Sequence, residues 1–99
     1  MPAYMIVRET ISDPVAFGRY REAVSKLVPK YGAKYLARGA AALILEGDVD
    51  PNERIVIEEY PSVEKIREMW DSPEYQEIKK LRDGAGELKV IVMEGEPAT

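Results

Sequence analysis

Arg38 and Glu59 are the side chains of this 99-residue chain best placed, by type and position, to carry chemistry. Arg38 stands beside Gly39, where a missing side chain lets a ligand or a second backbone come close. Its planar guanidinium suits a carboxylate or an enolate, gripped by two parallel hydrogen bonds. The competing reading is a structural ion pair, or an edge charge that deters aggregation. Glu59 follows Ile55 and Ile57 on one strand face, at the margin of an apolar layer. Burial there would raise its pKa and suit it to proton transfer. An Arg38–Glu59 salt bridge would account for the same two residues. Tyr31, Trp70 and Tyr75 offer aromatic bodies with polar tips that could line a pocket between helices and sheet. Trp70 shares a helical face with Val63 and Ile66, so core packing competes with ligand contact. Tyr75 follows a helix break, which leaves its hydroxyl freer to face a cavity.

What the chain lacks narrows the chemistry further. It has no cysteine and no histidine. Disulfides, thiolate nucleophiles, Ser-His-Asp arrangements, imidazole-held haem and the usual zinc, copper and iron sites are thereby excluded. Acid–base work falls to Asp, Glu, Lys, Tyr or water, and no cofactor or metal is expected. Fourteen basic residues against eighteen acidic give a net charge of −4. With no basic patch against that balance, neither nucleic acid nor an anionic membrane is an expected partner. Met1 to Glu9 reaches a charge too soon for a secretory segment, and no apolar run approaches the ~18 residues of a membrane span. The cytoplasm is the expected location.

These candidates need a scaffold, and the hydrophobic periodicity supplies one. Residues 3–10 read as a strand around Tyr4, Met5, Ile6 and Val7. Ser12-Asp13-Pro14 opens a helix over 14–29, with Phe17, Tyr20, Val24, Leu27 and Val28 at helical spacing. A second strand runs over 33–38, is interrupted by a bulge or bend at Gly39, and resumes over 42–45. The turn formers from Glu46 to Asn52 make a hairpin loop, and 54–60 forms the third strand. Ser62 caps a helix bearing Val63, Ile66, Met69 and Trp70, and Asp71-Ser72-Pro73 breaks it and caps another holding Tyr75, Ile78 and Leu81. A fourth strand covers 87–94, and 95–99 reads as a frayed tail. The order β-α-β-β-α-β, as one domain over 1–99, is the split βαβ arrangement: a four-stranded antiparallel sheet with its helices on one face, a ferredoxin-like α+β fold.

Both faces of that sheet are apolar. Ala3, Met5 and Val7 oppose Tyr4, Ile6 and Arg8; Ile55, Ile57 and Glu59 oppose Val56, Glu58 and Tyr60; Leu88, Val90 and Val92 oppose Lys89, Ile91 and Met93. Two short helices cover only one face, and the other would be a larger apolar patch than a soluble monomer exposes. A second copy packed sheet against sheet, in a two-fold homodimer, is the expected solution.

The ordered set Ala3-Tyr4-Met5-Ile6-Val7, Asp13-Pro14, Tyr20, Tyr31-Gly32, Tyr35-Leu36-Ala37-Arg38-Gly39, Leu45-Glu46-Gly47, Glu59-Tyr60-Pro61-Ser62, Trp70 and Ser72-Pro73-Glu74-Tyr75-Gln76 resembles the DUF1330 family of the dimeric α+β barrel superfamily. The resemblance runs from residue 3 to about 95. It implies a ferredoxin-like protomer paired through its sheet, in a superfamily that includes cofactor-free monooxygenases, small-molecule isomerases and decarboxylases, and haem-binding enzymes. The usual haem-ligating histidine has no counterpart in this chain. Two functions remain open. One is a dimer that binds a small, partly apolar organic molecule between helices and sheet, with proton-transfer or monooxygenase-type chemistry: Glu59 as base, Arg38 and Tyr75 stabilising an oxyanion. The other is a non-catalytic structural or ligand-sensing dimerisation module.

Overall fold

The computed structural model describes residues 1–95, the side chain of Ala40 excepted. Strands β1 (Ala3–Ile11), β2 (Lys34–Ala41), β3 (Arg54–Tyr60) and β4 (Gly86–Glu94) form one antiparallel sheet in the order β2-β3-β1-β4. Helices α1 (Pro14–Leu27), α2 (Val63–Asp71) and α3 (Pro73–Lys79) carry the crossovers.

Each helix begins where its sequence supplies an acceptor for orphan backbone donors. Asp13 accepts the Ala16 N–H at 3.2 Å, with Pro14 in the first turn. Ser62 accepts the Lys65 N–H at 3.2 Å, and Ser72 accepts that of Tyr75 at 3.1 Å while donating to the Met69 carbonyl at 2.7 Å. Ser72 thus closes α2 and opens α3 in one residue. The expected helix over 14–29 divides into α1 and a 3₁₀ turn, Val28–Tyr31, because Pro29 cannot donate to the α ladder. Gly32, at φ 78°, then reverses the chain into β2.

The helix-covered face of the sheet holds Ala3, Met5, Val7 and Glu9 of β1, all buried, packed with Phe17, Tyr20, Leu27, Ile66, Met69 and Tyr75. Register puts Val56, Glu58 and Tyr60 of β3 on the same side. On the opposite face Ala37, Ile57, Ile6 and Ile91 stand in line across all four strands. Ion pairs flank this apolar row: Lys34–Glu59 at 3.9 Å on one side and Arg8–Glu53 on the other.

The second strand differs from expectation. Gly39 does mark a break in register, between Arg38 and Ala40, and takes φ 76°. Residues 42–45, however, do not resume the strand. The partner β3 begins at Arg54, opposite Ala41, so nothing remains for them to pair with, and Leu43 and Leu45 stand exposed. Of the expected tail at 95–99, Gly95 donates its N–H to the Pro2 carbonyl at 2.8 Å, and 96–99 lie outside the described residues. Among the described residues no helix is long and apolar enough to cross a membrane.

Candidate functional site

A cavity of about 50 Å³ lies between α1, α2, α3 and the covered face of the sheet. Phe17, Val24, Val28, Met69 and Val90 make its wall apolar, whereas Glu9, Tyr20, Arg21, Tyr35, Arg38, Glu58 and Tyr75 bring polar atoms to it. Such a mixture of apolar wall and convergent polar groups is characteristic of ligand sites.

Glu58 is the most distinctive group there. It is 6% exposed, and its Oε1 accepts the Tyr60 hydroxyl at 2.9 Å. Its other oxygen has no hydrogen-bond partner among the described residues. Burial raises the Glu58 pKa, the Tyr60 hydrogen bond opposes this, and the nearby Glu9 charge adds to the rise. Glu9, at 3% exposure, is also raised by burial, against the Coulombic pull of Arg21 and its hydrogen bond at 3.0 Å. The two carboxyls therefore differ: Glu9 holds an ionic partner, and Glu58 holds only a neutral hydroxyl.

Around them the cavity is rich in phenols. The Tyr20 and Tyr75 hydroxyls share a buried hydrogen bond of 2.9 Å in which either can donate. The Tyr35 ring carries the Arg38 guanidinium 4.3 Å from its centroid, a cation–π contact that fixes the arginine at the rim. Arg38 is itself exposed and has no carboxylate partner among the described residues. Trp70 leans on Tyr75 with ring centroids 4.9 Å apart, and the Lys79 ammonium lies 5.0 Å from the Trp70 ring centroid.

Gly39 makes room for this arrangement. A Cβ at that position would come within 3.2 Å of the Glu9 Oε1 and 3.7 Å of the Arg21 Nη2, at a φ of +76°. Gly39→Ala is therefore expected to cost about 1–2 kcal/mol from the left-handed backbone alone, with crowding of the ion pair added. Urea unfolding of the two proteins measures it, and an unchanged midpoint would contradict this account.

Of the residues singled out from sequence, Arg38, Trp70 and Tyr75 line the cavity and Tyr31 and Glu59 do not. Tyr31 ends the 3₁₀ turn, packed on the core away from the cavity. Glu59 projects from the opposite face of β3, where it meets Lys34 instead of Arg38. The expected Arg38–Glu59 salt bridge is absent because Arg38 pairs in register with Val56, on the covered side. A base at Glu59 would face away from every cavity group described above. Sequence reasoning gave no cavity role to Glu9, Glu58, Tyr20, Arg21 or Tyr35, and read Glu58 as solvated or paired with a helix lysine. The signal for Glu9 was present: it continues the alternation Ala3, Met5, Val7 by one more step.

The split β-α-β arrangement, with helices on one face and an apolar row on the other, defines a ferredoxin-like α+β protein of the dimeric α+β barrel class. Solved structures of that class superpose along nearly the whole chain. A dimeric ferredoxin-like protein of unknown function from Jannaschia sp. is 12% identical, with a TM-score of 0.68 over 96% of this chain and 100% of that one. SnoaB, a cofactor-independent oxygenase from Streptomyces nogalater, is 8% identical, with a TM-score of 0.61 over 98% and 95%. A protein of unknown function from Rhodopseudomonas palustris is 25% identical, with a TM-score of 0.78 over 98% and 84%. Within that class the chain belongs to DUF1330, a domain of unknown function, whose family model matches residues 2–96. No curated protein matches it.

Proposed function

We propose that the chain is a homodimer that binds a small, partly apolar carbonyl compound between helices and sheet, and moves a proton on it without a cofactor. Glu58, in place of Glu59, is the base. The observation that carries this reading is a buried carboxyl on the cavity wall whose one engaged oxygen is held by a neutral hydroxyl. Such a group is raised towards the pH at which it can both take and return a proton. Its free oxygen accepts a proton from carbon next to the carbonyl, and the electron pair of that C–H bond moves onto the carbonyl oxygen as an enolate. Tyr75, whose hydroxyl is set by Tyr20, donates a hydrogen bond to that oxygen, and Arg38 at the rim attracts its charge. Reprotonation completes an isomerisation or an exchange; with dioxygen as co-substrate, the enolate carbon forms a C–O bond to it, the peroxide takes up a proton, and its O–O bond breaks with loss of water and of the remaining α-hydrogen to leave a new carbonyl. Proton removal is common to both. Sheet-to-sheet pairing covers the row Ala37, Ile57, Ile6 and Ile91.

Deuterium exchange tests the reading. In heavy water the purified protein is expected to wash deuterium into the α-carbon of small methyl ketones faster than buffer does, as followed by proton NMR. Glu58→Gln should abolish this excess, and Glu59→Gln should leave it. Exchange that survives in Glu58→Gln, or none above buffer with the native chain, would favour the dimerisation module instead.

A further inference from the structure

The polar cavity has the chemistry of a site but not the room. At about 50 Å³ it falls well below the roughly 300 Å³ at which ordinary ligand pockets begin. The room lies next door. A second chamber of about 240 Å³ opens between α2 and the β4 side of the sheet. Val63, Ile66 and Val92 line it, with only Arg67 and Asp71 at its edge offering charge. Met5, Trp70 and Val90 belong to the walls of both spaces. Met5 and Val90 are the sheet residues the two spaces share; Trp70, half-buried near the end of α2, is the helix residue they share.

We infer that the two spaces are one binding site divided by the Trp70 side chain, which takes a ligand with a compact carbonyl head and an unbranched apolar tail. The inference rests on the proton-transfer reading of Glu58 for its head group and goes beyond it in assigning the tail. The head enters the polar space beside Glu58 and Tyr75, and the tail lies along Val63, Ile66 and Val92. The indole must turn to let the two join. Two of its neighbours are the Tyr75 ring, tilted 36° to it at 4.9 Å between centroids, and the flexible Lys79 side chain, 5.0 Å from the indole centroid. Trp70 then sets the tail length at which binding begins to gain.

Methyl ketones with alkyl chains from ethyl to nonyl are the probes. Binding is read from the fluorescence of Trp70, the sole tryptophan of the chain, and turnover from deuterium exchange at the α-carbon. Affinity for the native protein is expected to rise about fourfold per methylene once the tail passes the indole, with the fluorescence change confined to those longer ketones. Val63→Phe fills the second chamber without touching the first. It should flatten the chain-length dependence, with the circular dichroism spectrum unchanged. Trp70→Ala, followed by exchange alone, should let the gain begin at shorter chains. Should Trp70→Ala not fold, Val92→Phe repeats the filling test from the opposite wall. If Glu58-dependent exchange persists while chain length has no effect, or if neither filling variant alters it, the divided site is wrong and the proton-transfer reading stands. If no ketone is bound or exchanged by the native protein, both fall.

Discussion

Ile91→Asp is expected to convert the protein from a dimer to a folded monomer, with the dimer weakened on the order of a thousandfold. The size of the effect follows from where Ile91 sits. It lies on β4, in register with Ile6 and through it with Ile57, at one end of the apolar row on the uncovered face. In the isolated protomer it is 55% exposed and belongs to an edge strand, so a carboxylate there keeps its water and costs the fold little. In a sheet-to-sheet dimer the same carboxylate is enclosed, at a penalty of several kcal/mol, and two-fold symmetry applies that penalty twice. Light scattering on a size-exclusion column distinguishes the outcomes: the native chain should elute at twice its 11.2 kDa, and the variant at that mass. Circular dichroism should be unchanged. A variant that remains dimeric, or a native chain that is monomeric, would show that the row is not the interface.

In the proposed dimer the flanking charges would hold this face to one register. Lys34–Glu59 borders the row on one side, and Arg8–Glu53 with Lys89 borders it on the other. An open pair such as Lys34–Glu59 adds little to stability, on the order of 1 kcal/mol or less, and in Arg8–Glu53 the carboxylate is buried. Both pairs would discriminate against slipped pairings, which would drive a lysine or arginine onto isoleucine. Glu59, first considered for chemistry, belongs to this border.

That reassignment marks the limit of what the sequence made legible. The strands and helices were readable because capping residues, prolines and glycines punctuate them: Asp13-Pro14, Ser62 and Ser72-Pro73 each open a helix as their types predict. Alternation also placed Glu58 and Glu59 on opposite faces of β3. It could not say which face the helices cover, because Ile55 and Ile57 make one side as apolar as Met5, Val7 and Val56 make the other. With both faces greasy, period two carries no inside and outside. Only long-range packing decides that, through Phe17, Ile66, Met69 and Tyr75 packing with Ala3, Met5 and Val7. The same ignorance hid the Glu9–Arg21 pair, whose partners come from a strand and a helix. Residues 42–45 failed for a different reason: Ala-Leu-Ile-Leu has strand composition, but β3 begins too late to offer it a partner.

Glu58→Gln is expected to make the fold more stable at neutral pH, by about 1–2 kcal/mol, while abolishing proton exchange. The amide retains an acceptor for the Tyr60 hydroxyl, now at 2.9 Å from Oε1, and removes the charge that burial opposes. The pH dependence separates this from a generic effect. The folded-state pKa of Glu58 is raised above the ordinary 4.5, with burial the leading cause. Below 4.5 the group is protonated in both the folded and unfolded chains, and its contribution to stability is fully present. As pH rises from there through the folded value, the unfolded chain releases its proton first, and that contribution is lost. The native protein should therefore fall in stability relative to Glu58→Gln across that window, and the two should converge in acid. Exchange activity should climb over the same window, because the proposed base is the deprotonated carboxylate. Urea unfolding of both proteins from pH 4 to pH 8, beside the exchange rate of the native chain, gives both curves. A constant difference in stability would remove Glu58 as a buried titrating group. A rate that rises outside the window would assign the proton transfer to some other residue.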